Sequence, residues 1–567
     1  MSGSDNASSS DREIVVKEPP IVDWPSDKMA SETQKPAEEE WKPSKHEKAI
    51  IYTLAFLNLI VSLDATIIVT SLSAIISELQ GTTTQAFWIA TSYLLVNAVT
   101  MPMICSVSDI IGRPICLTFS IAAFSVGTLL CCTAHSITQM IVGRCIQGVG
   151  GGGIHSLGLV IHTDFVPLRW RPKWYSVTLA AWAVGLSIGP VTGGAIADRT
   201  TWRWIFYIML PICGFGLVVV PYLLTLRPKE ATFQEKLRRI DWLGGFIFTG
   251  SATAFLIAIS WGGSQHAWNS AATLVPLVLG IVGLIATSFY VGYIAKYPFI
   301  PSALFKDISS IITYIGAFLQ GVLLYGQLYY CPFYLMSVKE FTPTIAGVAT
   351  LPNLLTFAIS GIVTGRLVTR FNNFRWAIWF GWFVSCIATA MYTIWRVNDS
   401  APVWVISYLL GGISHGAILN AQNFGTQSMC KPGDEGAAAA MYIFARQFGM
   451  AVGVGIGAST FQNVMKLKLR WEGLDTSIAD YAESYIPTLH LLPVGHVRDA
   501  TYDSFKLGFQ VVFATWLGIS VLALFLTLVF VKHADMNRKL DSDHTIDSTR
   551  MFRHWDKKRS SMEGVRE

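Results

Sequence analysis

The sequence predicts an all-α integral membrane protein with fourteen transmembrane helices. Of its 567 residues, 52% are hydrophobic and 14% are charged, whereas soluble proteins carry about 25% charged residues. The mean hydropathy is +0.45. Apolar runs of roughly 20 residues, which suffice to cross a bilayer as a helix, recur along the chain from residue 50 onward. Together these three observations exclude a soluble protein.

The predicted spans are separated by polar or basic segments. In chain order they cover 50–77, 87–107, 115–134, 137–163, 174–197, 203–225, 242–262, 273–294, 309–336, 345–367, 375–395, 403–424, 437–462 and 509–532. The ends of the second and twelfth spans are the least defined, because Asn97, His415 and Asn420 interrupt them. No apolar stretch precedes the first span, so we expect the first helix to direct insertion without a cleavable signal peptide.

Lysine and arginine are concentrated in the segments that follow even-numbered spans and in the residues before the first span. Arg169 and Arg171, for example, lie between spans four and five. The positive-inside rule therefore places both termini in the cytosol. Residues 1–48 and 533–567 are predicted to be cytoplasmic tails, the first of them disordered because it is rich in Ser, Glu, Lys and Pro. Residues 464–508 are predicted to form a long extracellular loop.

The two ends of the chain resemble each other. A short basic loop follows the second span (109–113) and the tenth (365–370), and glycine-rich runs lie in spans four and twelve. We therefore predict two six-helix halves, 49–226 and 309–532, separated by a linker with two extra helices at 227–308. Secondary transporters commonly consist of paired halves whose binding site lies at their interface.

Arg144 lies inside the fourth predicted span. An arginine at the centre of a spanning helix costs roughly 2.5–3.5 kcal/mol on insertion scales. This cost is tolerated most readily when the side chain faces a protein interior or a wet cavity. The run of glycines that follows Arg144 lets another helix approach closely. The pattern indicates helices that move relative to one another around a polar pathway. The alternative is a buried arginine whose hydrogen bonds are satisfied by backbone carbonyls, with glycines that serve only in helix packing.

Asp64 lies inside the first predicted span. Intramembrane carboxylates commonly belong to ion or proton pathways, so Asp64 is a candidate proton carrier. Two alternatives remain open: an acid near a helix end at the interface, or a structural ion pair.

A proline and several glycines interrupt the fifth predicted span. Proline removes a helical hydrogen bond and favours a kink, and glycines let a neighbouring helix approach. The alternative is a packing kink without a role in transport. These residues are Gly185, Gly189, Pro190, Gly193 and Gly194.

The loop after the second span is a candidate cytoplasmic gate. Asp109 and Arg113 are four residues apart, and Gly112 permits a tight turn between them. The pair could latch two helices, or it could be a solvated ion pair worth at most about 1 kcal/mol. Arg446, early in span thirteen, is either a second gating residue or an arginine that snorkels to the cytoplasmic interface.

Titratable and aromatic side chains also occur within the spans. His155 and His162 in span four could titrate near neutral pH, although interior histidines are more often satisfied by hydrogen bonds. Aromatic rings suit flat apolar or cationic ligands, but many such residues belong to interface belts. The candidates are Trp88, Tyr93, Trp182, Tyr325, Tyr329, Tyr330 and Trp379.

Other patterns exclude several classes of function. No P-loop sequence is present and no His, Cys and Asp spacing is typical of a metal site, so we expect no enzymatic activity, cofactor or metal. The nine cysteines mostly lie in apolar runs, so no disulfide framework is predicted. The net charge of +5 reflects the basic cytoplasmic segments and requires no nucleic-acid partner. Asn398 begins a glycosylation sequence in an outer loop.

Together these motifs resemble the major facilitator superfamily, specifically its 14-span drug:proton antiporter family of fungi. The resemblance covers about residues 50–532. Six segments carry it: 63–67 in span one, 88–95 in span two, the loop residues Asp109, Gly112 and Arg113, then Arg144, Gln147 and Gly148 in span four, the glycines and proline of span five, and 202–207 at the start of span six. Three positions depart from the family pattern: Cys105 and Pro114 at the two ends of the loop motif, which puts the latch in doubt, and Met209 in span six.

The resemblance implies the major facilitator fold and proton-coupled export of a lipophilic small molecule by alternating access. It assigns proton coupling to Asp64, Arg144 and Gln147, and an antiporter motif to span five. The expected partners are the substrate, protons and the lipid bilayer of the cell membrane, with the vacuolar membrane as the alternative location, and the protein is expected to be a monomer. A siderophore or amino-acid carrier of the same superfamily and a non-transporting nutrient receptor remain alternatives.

Overall fold

The computed structural model describes residues 41–80, 83–225, 233–263, 265–396 and 399–537. Within these ranges the protein is all-α, with a single isolated β-bridge between Gly262 and His266. Fourteen long helices correspond to the fourteen predicted spans. They are α1 (Lys45–Leu79), α2 (Thr83–Ile111), α3 (Arg113–Cys132), α4 (Ile137–Phe165), α5 (Arg171–Arg199), α6 (Met209–Leu223), α7 (Trp242–Trp261), α8 (Ala271–Tyr293), α9 (Ile308–Ser337), α10 (Leu351–Phe371), α11 (Arg375–Thr393), α12 (Ala401–Met429), α13 (Glu435–Trp471) and α14 (His496–Phe530).

The predicted fold class, a helical multi-pass membrane protein, is confirmed. By length and composition, thirteen helices in the described ranges could cross a membrane. Helix α4 lies outside that set although it is 29 residues long. It carries Arg144, His155, His162 and Asp164, and all four side chains are buried. The polar residues of this span are therefore enclosed by other helices.

Several helices extend beyond the apolar segments that predicted them. Helix α1 begins at Lys45, inside the predicted tail 1–48, because Ser44 and Glu47 form a capping box: the Glu47 amide donates to Ser44 Oγ (3.2 Å) and the Ser44 amide to Glu47 Oε2 (2.6 Å). The remainder of that tail up to residue 40, and residues 538–567 of the other, lie outside the described residues.

The predicted extracellular loop 464–508 is mostly helical. Helix α13 continues to residue 471, α14 begins at 496, and a further helix, Ala482–Leu491, lies between them. Ion pairs stabilise the polar extension of α13, since Lys468 Nζ lies 2.5 Å from Glu472 Oε1 and Lys466 Nζ 2.5 Å from Asp480 Oδ1. Hydropathy marks the apolar centre of such a helix and not its polar end.

The same neighbour relations occur twice along the chain. Helix α1 packs on α5, α2 on α4, and α3 on α4 and α6; likewise α9 packs on α13, α10 on α12, and α11 on α12 and α14. The two sets meet where α5 packs on α10 and where α2 and α4 pack on α13. Helices α7 and α8 pack on each other, and α7 also contacts α2 and α13.

Glycines at the same spacing produce the close contacts of α5 and α13. A Cβ added at Gly185 would lie 2.6 Å from the Leu59 carbonyl oxygen of α1, and one added at Gly449 would collide with the Phe318 carbonyl of α9. Only glycine allows helices to approach this closely. The repeated sets are Gly185, Gly189 and Gly193 in α5 and Gly449, Gly453 and Gly457 in α13.

A second pair of glycine contacts has the same register. Gly152 of α4 packs against the Asn97 carbonyl of α2, and Gly412 of α12 packs against the Asn353 carbonyl of α10. A histidine follows each glycine by three residues, His155 in α4 and His415 in α12. The resemblance between the two ends of the chain therefore extends to individual backbone contacts.

Candidate functional site

Asp64 of α1 and Arg144 and Gln147 of α4 form one buried hydrogen-bonded cluster. Arg144 Nη1 donates to Asp64 Oδ2 (2.8 Å) and to Gln147 Oε1 (2.8 Å). Gln147 Nε2 donates to Asp64 Oδ1 (3.0 Å). The structure thus brings together the three residues predicted to couple transport to protons, across 80 residues of sequence.

The surroundings of this cluster satisfy most of its remaining polar atoms. Arg144 Nε donates to the Ile89 carbonyl (3.2 Å), and the guanidinium carbon lies 4.3 Å from the centroid of the Tyr93 ring. Gln147 Nε2 also donates to Thr128 Oγ1 (3.0 Å). The Asp64 and Arg144 side chains are 0% and 1% exposed. A proton bound at Asp64 would therefore remove the only carboxylate that compensates the Arg144 charge within the described residues.

The glycines of α5 lie directly against the segment of α1 that carries Asp64. A Cβ at Gly185 would lie 3.0 Å from the Leu63 nitrogen and would collide with the Ser62 hydroxyl, and a Cβ at Gly189 would collide with the Thr66 hydroxyl. These contacts flank Asp64 on both sides in sequence. Any displacement of α1 at the cluster must therefore be followed by α5.

The rest of the predicted antiporter motif continues this contact. Ser71 Oγ of α1 donates to the Gly193 carbonyl (2.9 Å), Gly194 is half-buried, and α5 is a continuous helix through Pro190. The motif therefore joins α1 and α5 over about two helical turns.

Arg113 forms a second buried ion-pair cluster where α2, α3 and α4 meet. Arg113 Nη2 lies 2.5 Å from Asp109 Oδ1, and Nε lies 3.0 Å from Asp164 Oδ2. Gly112 has a φ of 124°, a conformation that side chains other than glycine rarely adopt, and it separates α2 from α3. The Arg113 side chain is only 3% exposed, so the interpretation as a fully solvated pair is wrong for the arginine, although Asp109 is half-exposed.

Asp164 was not singled out by the sequence, because it follows the predicted end of span four at residue 163.

Cys105, which departs from the family pattern of the loop, still contacts Arg113 through its backbone. Arg113 Nη1 donates to the Cys105 carbonyl (3.5 Å) and to Ser108 Oγ (2.5 Å). The cluster is also close to α13, since a Cβ at Gly436 would lie 3.3 Å from Arg113 Nη2.

Arg446 does not lie beside the Arg113 cluster, and its side chain does not reach the interface. It lies eleven residues, about 16 Å, beyond the first residue of α13, and it is 2% exposed. Arg446 Nη2 donates to His155 Nε2 of α4 (2.9 Å), and its guanidinium carbon lies 5.2 Å from the centroid of the Trp182 ring of α5. The snorkelling interpretation is therefore wrong, because partners from two other helices hold the side chain inside the protein.

The contact with Arg446 fixes the tautomer of His155. A guanidinium can only donate, so His155 Nε2 accepts and Nδ1 carries the proton, which it donates to Asn58 Oδ1 of α1 (2.9 Å). Asn58 Nδ2 in turn donates to the Leu54 carbonyl (2.9 Å). Each hydrogen bond is donated in the same direction, from Arg446 to His155 and from His155 to Asn58, so the series links α13 to α4 and α1. Sequence reasoning identified His155 but not Asn58.

Polar side chains also join the two sets of helices where α5 begins and α12 ends. Arg171 Nη1 donates to Gln427 Oε1 (2.9 Å), and Asn420 Nδ2 donates to Ser176 Oγ (3.0 Å) and to the Gly361 carbonyl (2.8 Å). All these side chains are buried. The two sets of helices are thus in direct contact at the end predicted to face the cytosol.

Two of the predicted aromatic residues contact the buried arginines, namely Tyr93 at Arg144 and Trp182 at Arg446. Of the others, Tyr325 is buried near Trp182, whereas Trp88, Tyr329, Tyr330 and Trp379 pack elsewhere against Trp261, each other or Arg375. The predicted glycosylation site Asn398 lies outside the described residues.

The charged cluster occurs in only one of the two sets of helices. Leu59 of α1 and Phe318 of α9 make equivalent contacts, the first with Gly185 and the second with Gly449. Counting five residues onward from each, the position equivalent to Asp64 is Leu323 of α9. Arg144 corresponds to Trp404 of α12. The ion pair therefore has no counterpart at the matching positions of α9 and α12, both of which are described.

Comparisons with known proteins agree with this architecture. The family model described as the Major Facilitator Superfamily matches residues 54–454. The chain is 35% identical over 517 residues to the MFS transporter L2 of a Phoma species, covering 90% of this chain and 86% of that protein. It is 32% identical to the MFS efflux transporter aclA of Aspergillus oryzae, covering 91% and 94%, and 32% identical to the MFS-type efflux pump MMF1 of Pseudozyma antarctica, covering 81% and 86%.

Solved structures share the fold at low sequence identity. The human organic anion transporter MFSD10 (TETRAN) matches with a TM-score of 0.54 at 14% identity, covering 86% of this chain and 100% of that one. A bacterial homologue of the human lysosomal transporter Spinster, in an inward-facing and occupied conformation, matches with a TM-score of 0.54 at 16% identity, covering 86% and 97%.

Proposed function

The chain belongs to the Major Facilitator Superfamily, and from this premise we propose that it is a proton-coupled exporter of a lipophilic small molecule, such as a fungal secondary metabolite, toxin or drug. Similar fungal proteins that are named as efflux transporters or pumps support export. The buried contact of Asp64 with Arg144 and Gln147 supports proton coupling, and it is the observation that carries the proposal.

The proposed cycle depends on whether Asp64 holds a proton. The deprotonated carboxylate compensates the charge of Arg144 and accepts the Gln147 amide. A proton on Asp64 ends this compensation and weakens the charge-assisted bonds between α1 and α4. The protonated and deprotonated states thus favour different arrangements of these two helices.

Helix α5 would carry this change to the other half. Gly185 and Gly189 contact the residues of α1 on either side of Asp64, and α5 packs on α10. A shift of α1 on protonation would therefore alter the contact between the two six-helix sets. Rocking of paired halves about a central site is the usual basis of alternating access.

The bonds of Arg171 to Gln427 and of Asn420 to Ser176 would form the cytoplasmic closure in this cycle. They must break when the central region opens toward the cytosol to admit substrate. The Arg113 cluster beside α13 would hold α2, α3 and α4 together during this movement. We place the protein in the cell membrane as a monomer with both termini cytosolic.

Inside-out membrane vesicles test the proposal, because their cytoplasmic face is accessible. An acid interior should drive accumulation of a lipophilic fluorescent dye, and a protonophore should abolish it. Vesicles that contain the Asp64→Asn protein at equal abundance are the control. Accumulation that ignores the proton gradient but requires ATP would contradict the antiporter. Dye movement out of the vesicles together with protons would favour the importing carrier.

A further inference from the structure

Arg446 is the least compensated of the buried arginines in the described part of the chain. Arg113 and Arg144 pair with carboxylates, and Arg171 donates from all three of its guanidinium nitrogens to oxygens of Val166, Gln427 and Thr163. Arg446 has no carboxylate within 4.0 Å among the described residues, and its Nε and Nη1 atoms have no hydrogen-bond partner there. Burying an unpaired charge is strongly unfavourable, so a counter-charge is needed.

The unpaired guanidinium lies between the two six-helix sets, beside a large apolar cluster. Trp182 of α5, which contacts Arg446, belongs to this cluster together with residues of α9, α10, α12 and α13. Met450, one turn beyond Arg446 on α13, is also a member. The members of this cluster also include Leu324 of α9 and Leu419 of α12. A charge and an apolar surface are thus adjacent at the interface of the halves.

Two buried amides are placed near the same cluster. Gln320 lies one turn before Leu324 on α9, and Gln422 lies three residues after Leu419 on α12, so each shares a helix face with a cluster member. Neither the oxygen nor the nitrogen of either amide has a hydrogen-bond partner in the described residues. Buried polar groups are normally hydrogen-bonded, so these amides are available to neutral polar groups of a ligand.

We propose that Arg446 binds the anionic group of the transported molecule, so that the substrate is a lipophilic organic acid whose apolar body contacts the Trp182 cluster. This inference rests on the proposed function and specifies its substrate class. A carboxylate or another acidic oxygen would accept hydrogen bonds from Arg446 and supply the missing counter-charge. His155, which accepts only one hydrogen bond from Arg446, leaves the charge uncompensated.

Three probes with the same ring system and different charge test the inference: naphthylacetate, its neutral amide, and naphthylethylamine, which is a cation at neutral pH. Equilibrium binding of each tritiated probe is measured by scintillation proximity, using the full-length chain in lipid nanodiscs without a proton gradient. We expect naphthylacetate to bind about tenfold more tightly than its amide, as expected for hydrogen bonds to a charged group. Because no gradient is used, failure of proton coupling or export would leave this result intact.

Substitutions then assign the preference to Arg446. Arg446→Gln should reduce the ratio of the two affinities to about one, Arg446→Lys should keep it above one, and Arg446→Glu should favour naphthylethylamine. Arg375→Gln is the matched control, because Arg375 also lies over a tryptophan ring, at 4.4 Å from Trp379, but on α11. The control should keep the wild-type ratio.

Several results would overturn the inference. In the wild-type protein, equal affinity for the three probes or no binding of naphthylacetate would do so, whether or not any variant folds. An anion preference that persists in a monodisperse Arg446→Gln protein would also overturn it, because another residue would then bind the anionic group of the probe.

Discussion

Replacing Asp64 with asparagine removes one charge from the buried cluster while it keeps the shape of the side chain. The amide introduced by Asp64→Asn retains a carbonyl oxygen that can accept a hydrogen bond from Gln147 or Arg144. What is lost is the negative charge 2.8 Å from Arg144 Nη1. Arg144 would then be a fully buried cation supported only by the Ile89 carbonyl, neutral side chains and the Tyr93 ring among the described residues.

The size of the effect follows from this loss of compensation. Removing one partner of a buried ion pair typically costs about 3–5 kcal/mol, because the other charge stays buried. Replacing both partners by neutral groups avoids this penalty. We therefore expect Asp64→Asn alone to lower the free energy of unfolding by about 3 kcal/mol, and the double variant with Arg144→Gln to recover most of it. Because each single variant leaves one charge buried without its partner and the double variant leaves neither, the coupling energy between the two sites should be at least about 3 kcal/mol.

Unfolding titrations in mixed detergent micelles can measure the four proteins of this double-mutant cycle. A coupling energy near zero would refute the reasoning, because it would show that the two charges do not depend on each other. Vesicle transport supplies an independent test of function. Asp64→Asn protein should bind substrate but fail to concentrate it against a gradient. If uphill export persists unchanged, Asp64 is a structural residue and not the proton carrier.

Three further predictions concern Arg144, Gly189 and Glu78. Arg144→Ala should abolish proton-driven transport in vesicles without preventing membrane insertion. Arg144→Lys should transport poorly, because lysine lacks the planar guanidinium. Normal transport by either variant, when it is well expressed, would contradict the prediction for that variant. Gly189→Val should crowd α1, lower the free energy of unfolding by about 1–3 kcal/mol and block or uncouple export. The control Gly214→Val should leave both stability and export unchanged, since no atom lies within 4 Å of the added Cβ. Equal export by the two variants would show that the α5 contact has no role in transport. The hydrogen bond from Arg203 lowers the pKa of Glu78 at the C-terminal end of α1, so Glu78→Gln should lower the free energy of unfolding by at most about 1 kcal/mol at neutral pH. The difference from the unsubstituted protein should fade as the pH falls through that lowered pKa, and a difference that grows in acid would contradict this.

The sequence was sufficient for the fourteen long helices and for singling out Asp64 and Arg144, but not for the contact between these two side chains. Opposite charges in spans one and four, Asp64 and Arg144, indicate that both face the protein interior, because lipid cannot solvate them. Their contact depends on how α1 and α4 are aligned. That alignment is set by packing between segments far apart in the chain, which periodicity within one helix does not specify.

The snorkelling alternative for Arg446 and the omission of Asp164 have a common cause. Hydropathy locates the apolar centre of a helix, so a polar residue near its edge is easily assigned to the interface or the loop. Arg446 is held inside by His155 and Trp182, and Asp164 is recruited by Arg113. In both cases a side chain from another helix decides the position. Such partners become visible only when the helices are assembled.

The repeated glycine contacts have a mechanical consequence. The pairs α1–α5 and α9–α13 pack with equivalent backbone geometry, because the two helices of each pair meet at glycines with the same spacing. Only the first pair has a titratable ion pair at its side, since Leu323 takes the place of Asp64 in the second. In the proposed cycle, a change in proton concentration therefore acts on the first pair alone, and the second pair follows it as a passive counterpart. Under that proposal the two equivalent helix contacts have different roles, and the asymmetry of charge makes the α1–α5 pair the one that drives the movement.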